Sequence, residues 1–86
     1  MEKYIIKYNY NGQEYEDYLD LNAFNLDIPE IAYEALRGSL RKNHIEIKNG
    51  CLRNIELFKK DDEKPIFSAI TYDKNRGFIL KQGVIF

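Results

Sequence analysis

The stretch KYIIKYNYNGQEYEDYLDL, residues 3–21, decides the fold, because it contains two alternating strands around a two-residue turn. Asn11-Gly12 is typical of a β-hairpin turn, since both central positions of that turn need a positive φ. The strands are predicted at 3–10 and 13–20. Residues that face each other across the hairpin then have numbers that sum to 23.

This register places the side chains of the hairpin on two faces. One face carries Tyr4, Ile6, Tyr8, Tyr10, Tyr15, Asp17 and Leu19. The other face carries Lys3, Ile5, Lys7, Asn9, Glu14, Glu16, Tyr18 and Asp20. Lys7 faces Glu16 and Lys3 faces Asp20, and such cross-strand pairs contribute about 0.2–1 kcal/mol each. Only Glu14 and Asp17 are left without an assigned base.

The tyrosine-rich face has two interpretations. In the first interpretation, the core beneath a helix contains Tyr4, Ile6, Tyr8 and Tyr15, in a chain that has no tryptophan. Alternatively, the helix covers only part of the sheet and several tyrosines form an exposed platform for a partner, because tyrosine is enriched in protein interfaces.

One segment after the hairpin is typical of a helix. Asp27 is a candidate N-cap, and Glu30 three residues later completes a capping box. Apolar or small residues recur on one face of the helical wheel. They are Ile28, Ile31, Ala32, Ala35, Leu36, Ser39 and Leu40. We therefore expect an amphipathic helix that packs on the sheet.

The rest of the chain is predicted as strands at 44–48, 51–58, 66–72 and 78–82, with a short addition at 84–86. Asn49-Gly50 predicts a second hairpin, in which either a β-bulge near Arg53-Asn54 or burial on both faces accommodates the apolar residues. The order ββαβββ predicts an α+β fold: an antiparallel sheet of four to six strands with the helix on one face.

Length and composition predict one globular domain over residues 1–86. The chain is 44% hydrophobic and 31% charged, as in folded domains. It has one cysteine, no run approaching the roughly 18 apolar residues of a membrane helix, and no signal-peptide pattern. A cytoplasmic protein without membrane contact is the expectation.

Residues that could carry chemistry are few and are not grouped. His44 and Cys51 are single members of their types, and the predicted second hairpin keeps them apart. Asp61, Asp62 and Glu63 are flanked by lysines, as in a solvated loop. The glycines are scattered at turns rather than gathered in a phosphate-binding loop. We therefore predict no catalytic residues, no metal and no cofactor, and hence not an enzyme.

Charge is unevenly distributed along the chain. Residues 1–36 hold eight acidic residues against two lysines, whereas residues 37–86 hold eleven basic residues against six acidic ones. Such asymmetry favours steering of a charged partner. The leading hypothesis is a small protein-binding module that uses the acidic hairpin or a sheet edge, such as an inhibitor or immunity-type protein of a bacterial or phage conflict system. The candidate partner-binding residues are Tyr8, Tyr10, Glu14, Tyr15, Glu16, Asp17 and Asp20.

An alternative hypothesis is a nucleic-acid-binding accessory protein that uses the basic half of the chain. Its candidate residues are Arg37, Arg41, Lys42, Lys48, Arg53, Lys59 and Lys60. The acidic residues interspersed among these bases and the pI of about 5.8 make nucleic-acid binding the less favoured hypothesis. A homodimer is left open by the sequence.

Overall fold

The first hairpin forms in the predicted register. In the computed structural model, which describes residues 1–80, β1 (Glu2–Tyr10) pairs with β2 (Gln13–Leu21). Asn11 and Gly12 have φ values of 53° and 92°, as a turn of type I′ requires. Every predicted pair is observed, so the two faces of the hairpin are those expected.

The helix α1 (Ile28–Lys42) begins at the predicted capping box. The backbone N–H of Glu30 donates to Asp27 Oδ1 at 2.9 Å, and the N–H of Asp27 donates to Glu30 Oε1 at 3.3 Å. Ile31 to Leu40 supply the buried face as expected. Ile28 was predicted on that face but is 45% exposed, because it is the first helical residue and the buried stripe starts one turn later.

The remaining strands are β3 (Leu52–Lys59), β4 (Phe67–Ala69), β5 (Thr71–Asp73) and β6 (Gly77–Ile79). The four-stranded sheet has the order β2-β1-β3-β4, and β5 and β6 form a separate two-stranded sheet. All pairs are antiparallel and α1 packs on one face of the larger sheet. The α+β prediction is confirmed. The predicted strand 84–86 and the end of the strand 78–82 lie outside the described residues.

The predicted strand 44–48 and its hairpin are wrong. Residues 45–48 are irregular, and β3 pairs with β1 rather than with them. The helix ends in a Schellman motif: His44 has a φ of 58°, and the N–H of Ile45 donates to the Leu40 carbonyl at 2.8 Å. This ending directs Ile45 and Ile47 against the core, and the free edge of β1 accepts β3. Burial of apolar side chains therefore prevails over the local hairpin signal.

Of the two alternatives for the strand that follows Asn49-Gly50, the β-bulge near Arg53-Asn54 is the one observed. The register between β1 and β3 shifts between Lys7 and Asn9, and Asn54 has a φ of 53°. The extra residue allows Leu52, Ile55 and Leu57 to point to the same side, where each is fully buried.

The core lies between α1 and the sheet and contains Tyr4 and Tyr8 of β1. Tyr4, Ile6 and Tyr8 are at most 1% exposed, which confirms the core interpretation for these three residues. Tyr15 is half-buried and its ring stacks on Tyr8 with the centroids 5.4 Å apart. Phe67 and Phe78 meet edge to face at 4.9 Å. Burial of each large apolar side chain contributes about 1.5–3 kcal/mol.

The left-handed His44 yields a prediction about stability. His44→Gly should raise the free energy of unfolding by about 1 kcal/mol, because glycine adopts a positive φ without the steric penalty of a Cβ. His44→Ala is the control, since it removes the imidazole and keeps the Cβ. Urea denaturation measures both variants, and equal stabilities for the two would contradict the helix ending seen here.

Candidate partner-binding surface

The face of the sheet opposite α1 is uncovered by any element among residues 1–80. An apolar row crosses three strands on this face: Tyr18 on β2, the half-buried Ile5 on β1, and Phe58 on β3, which is only 9% exposed. Tyr18 is 61% exposed. The Lys7 ammonium lies over the Phe58 ring at 4.9 Å from its centroid and pairs with Glu16 at 3.4 Å. We call this side of the sheet the open face.

The candidate partner-binding residues divide between the two faces of the hairpin, because side chains alternate along a strand. Tyr8, Tyr10, Tyr15 and Asp17 lie on the side of α1, whereas Glu14, Glu16 and Asp20 lie on the open face. Tyr8 is fully enclosed and Tyr10 and Tyr15 are half-buried. The structure therefore does not gather the candidates into one surface. Tyr18, which the sequence analysis did not include, joins the exposed set.

Asp17 faces the last turns of α1 and has several polar partners there. Its carboxylate accepts hydrogen bonds from Ser39 Oγ and from Asn43 Nδ2, the latter at 2.8 Å, and lies 3.5 Å from Lys42 Nζ. The expectation that Asp17 lacks a base is therefore wrong. Proximity on the folded surface supplies Lys42, which is 25 residues away in sequence.

Ser39 links this carboxylate to the core. The hydroxyl groups of Ser39 and Tyr8 are 2.7 Å apart. Because the single hydroxyl proton of Ser39 is directed at Asp17, Tyr8 donates to Ser39 Oγ. Ser39 has no exposed surface, so a substrate cannot reach it in this conformation. The Tyr8–Ser39–Asp17–Asn43 cluster satisfies buried polar groups and ties the end of α1 to β2.

The basic candidates lie at several places. Arg37, Arg41 and Lys42 lie along the second half of α1, Lys48 and Arg53 near the turn before β3, and Lys59 and Lys60 at the other end of β3. Arg53 and Lys59 are separated by about 20 Å at roughly 3.3 Å per residue. Arg37 pairs with Glu34 at 3.2 Å, and Arg53 donates to Thr71 Oγ1. The structure does not bring these seven residues together.

The single histidine and cysteine lie at chain turns. His44 is exposed and lies just after α1. Cys51 is half-buried in the turn before β3, and its backbone carbonyl accepts a hydrogen bond from the N–H of Asn11 at 2.9 Å. His44 terminates the helix and does not begin the predicted strand 44–48. Within residues 1–80, no three side chains of His, Cys, Asp or Glu lie close enough to hold a metal ion.

A groove between α1 and the β5–β6 sheet was missed by sequence reasoning. Its volume is about 280 Å³. It is lined by Leu26, Pro29, Tyr33, Tyr72, Gly77 and Phe78, with Glu30 and Glu34 beside them. The Tyr33 and Tyr72 rings are 5.8 Å apart. Tyr33, an aromatic residue of the helix outside its predicted apolar face, was the available signal.

Comparisons with protein-family models, curated proteins and solved structures found no match for this chain. No helix in the described part of the chain is long and apolar enough to cross a membrane. The assignment of a function therefore rests on the geometry above.

Because Asp17 has several polar partners, we expect its removal to lower the stability of the fold. Asp17→Ala should lower the free energy of unfolding by about 1–3 kcal/mol, because Ser39 and Asn43 lose their acceptor. Asp20→Ala, an exposed position on the same strand, should change it by no more than about 0.5 kcal/mol. Urea denaturation of both variants checks this, and equal losses would show that the cluster is not needed.

The buried tyrosines predict a loss of stability at high pH. Burial raises the pKa of Tyr4 to about 12, and its hydrogen bond to the Glu2 carboxylate adds to the effect. Burial likewise raises the pKa of Tyr8. Because the folded-state pKa lies above the unfolded value of about 10, this stabilisation is complete below pH 10 and is lost as the pH rises through the folded pKa.

Denaturation of the wild type should thus become easier between about pH 10 and 12, and Tyr4→Phe should make that decline shallower. Tyr18→Phe removes a hydroxyl from an exposed position and serves as the control. A decline of the same steepness in the wild type and in Tyr4→Phe would contradict the role of Tyr4.

Proposed function

We propose that this chain is a non-catalytic protein-binding module that captures a basic protein partner on the open face of its first hairpin. One observation carries the proposal: β2 displays Glu14, Glu16 and Asp20 beside the exposed ring of Tyr18. Aromatic anchors surrounded by charge favour protein interfaces, and an acidic patch accelerates encounter with a basic surface.

On the two strands of the hairpin, the open face carries three acids, Glu14, Glu16 and Asp20, against Lys3 and Lys7. Lys7 pairs with Glu16 at 3.4 Å and Lys3 lies opposite Asp20. Glu14 accepts a hydrogen bond from the neutral Asn9 side chain at 3.0 Å, so its charge is not neutralised there. Asp17 is excluded from the proposed surface, since its carboxylate faces α1 and accepts hydrogen bonds from Ser39 and Asn43.

An inhibitor or immunity-type protein of a bacterial or phage conflict system, such as a toxin-immunity protein, an antitoxin or an anti-CRISPR-like protein, is the setting that we propose for this module. Its support is the acidic face, which suits the nucleic-acid-binding surface of a nuclease.

A neutralised variant tests the proposal against a matched control. Glu14→Gln, Glu16→Gln and Asp20→Asn together should weaken capture of the partner from the native host at least tenfold, because the steering and pairing charges are lost. Glu46→Gln, Asp62→Asn and Glu63→Gln make the same chemical changes at exposed positions elsewhere and should leave capture unchanged.

Quantitative pull-down followed by titration calorimetry with the purified partner measures both variants, and circular dichroism checks their folding. Equal affinity of the two variants would refute the open-face model. Salt-dependent binding to single-stranded or duplex nucleic acid, lost on substitution of Arg41 and Lys42, would favour the alternative hypothesis instead.

A further inference from the structure

Among residues 1–80, no strand pairs with the backbone groups along the outer edge of β2, which is the edge away from β1. The type I′ turn makes Tyr10 and Gln13 a hydrogen-bonded pair, and such pairs then alternate along the hairpin. The N–H and C=O groups of Glu14, Glu16, Tyr18 and Asp20 therefore point outward.

Hydrogen bonds on the other side of β1, toward β3, support this alternation of backbone directions. The Lys3 carbonyl accepts a hydrogen bond from the N–H of Lys60 at 3.1 Å, and the N–H of Asn11 donates to the Cys51 carbonyl at 2.9 Å. The odd-numbered residues of β1 thus bond toward β3, and the even-numbered ones bond toward β2. The outward groups of β2 consequently belong to the residues whose side chains lie on the open face.

Charge selects what can pair with this edge. If two copies paired antiparallel about Asp17, Glu14 of each copy would lie opposite Asp20 of the other, and facing like charges are destabilising. An extended segment with lysine or arginine at alternate positions instead places each base beside one of the acids. The charges that keep copies of the chain apart are therefore the charges that fit a basic strand.

We propose that β2 binds an extended basic segment of its partner by antiparallel strand addition. This inference rests on the proposed function and specifies how the partner is held. Four N–H donors and four C=O acceptors are available over about 20 Å of edge, at roughly 3.3 Å per residue. Basic side chains opposite Glu14, Glu16 and Asp20 supply the selectivity, and Tyr18 contacts the residue between them.

A pair of N-methylated peptides tests this binding mode without altering the protein. The probe is a ten-residue peptide that alternates lysine and valine. In antiparallel addition the residues opposite the open-face acids direct their own amides toward β2. Methylation of the lysine amides should therefore weaken binding at least tenfold, whereas methylation of the valine amides should leave the affinity within about twofold of the unmodified peptide.

A protein variant provides a second readout. Glu16→Pro removes the carboxylate and the outward N–H but no hydrogen bond to β1, whereas Glu16→Ala removes only the carboxylate. Glu16→Pro should bind the unmodified peptide at least fivefold more weakly than Glu16→Ala, with both variants shown to be folded by circular dichroism.

Equal affinity of the two methylated peptides would overturn strand addition, and so would failure of the unmodified peptide to bind. The proposed function fails separately, when neutralisation of the open-face acids leaves capture of the native partner unchanged. If binding depended on those acids but not on backbone amides, the proposed function would stand and strand addition to β2 would be refuted.

Discussion

The register of the β1–β2 hairpin is the constraint on which the rest of the structure depends. Asn11 and Gly12 adopt the positive φ values of a type I′ turn, and this turn assigns every side chain of both strands to one face or the other. A shift of one residue would either turn Tyr4 and Tyr8 of β1 away from the core or turn the open-face acids of β2 toward α1. The same turn also determines which amides of β2 remain unpaired.

The hairpin therefore separates two kinds of carboxylate that look alike in sequence. Asp17 accepts hydrogen bonds from Ser39 and Asn43 and helps to hold the end of α1 on the sheet. Glu14 and Asp20 are exposed on the opposite face. An acid that faces a helix end contributes to stability, whereas an acid beside an open edge is free to meet a partner.

Local signals predicted the parts of the fold whose geometry is local. The type I′ turn, the capping box at Asp27 and the β-bulge at Asn54, which was one of two alternatives for that strand, are each decided within a few residues. The pairing of β3 with β1 is not local, because it depends on which edge is free after the helix has packed. Residues 44–48 alternate as a strand does, yet Ile45 and Ile47 gain more by packing on the core.

The candidate site was predictable in part for the same reason. Register arithmetic placed Glu14, Glu16 and Asp20 on one face, but Lys42 reaches Asp17 only because α1 folds back over β2. The groove beside Tyr33 and Tyr72 likewise joins residues far apart in the chain. Contacts between distant segments require the packed structure, which alternation alone does not specify.

Amide hydrogen exchange along β2, followed residue by residue by NMR, tests the central claim most directly. The exchange rates should alternate: the amides of Tyr15, Asp17 and Leu19 exchange slowly, while those of Glu16, Tyr18 and Asp20 exchange near the rate of an unprotected chain. Uniform protection along β2, or slow exchange at the even-numbered residues, would show that this edge is not the open surface described here.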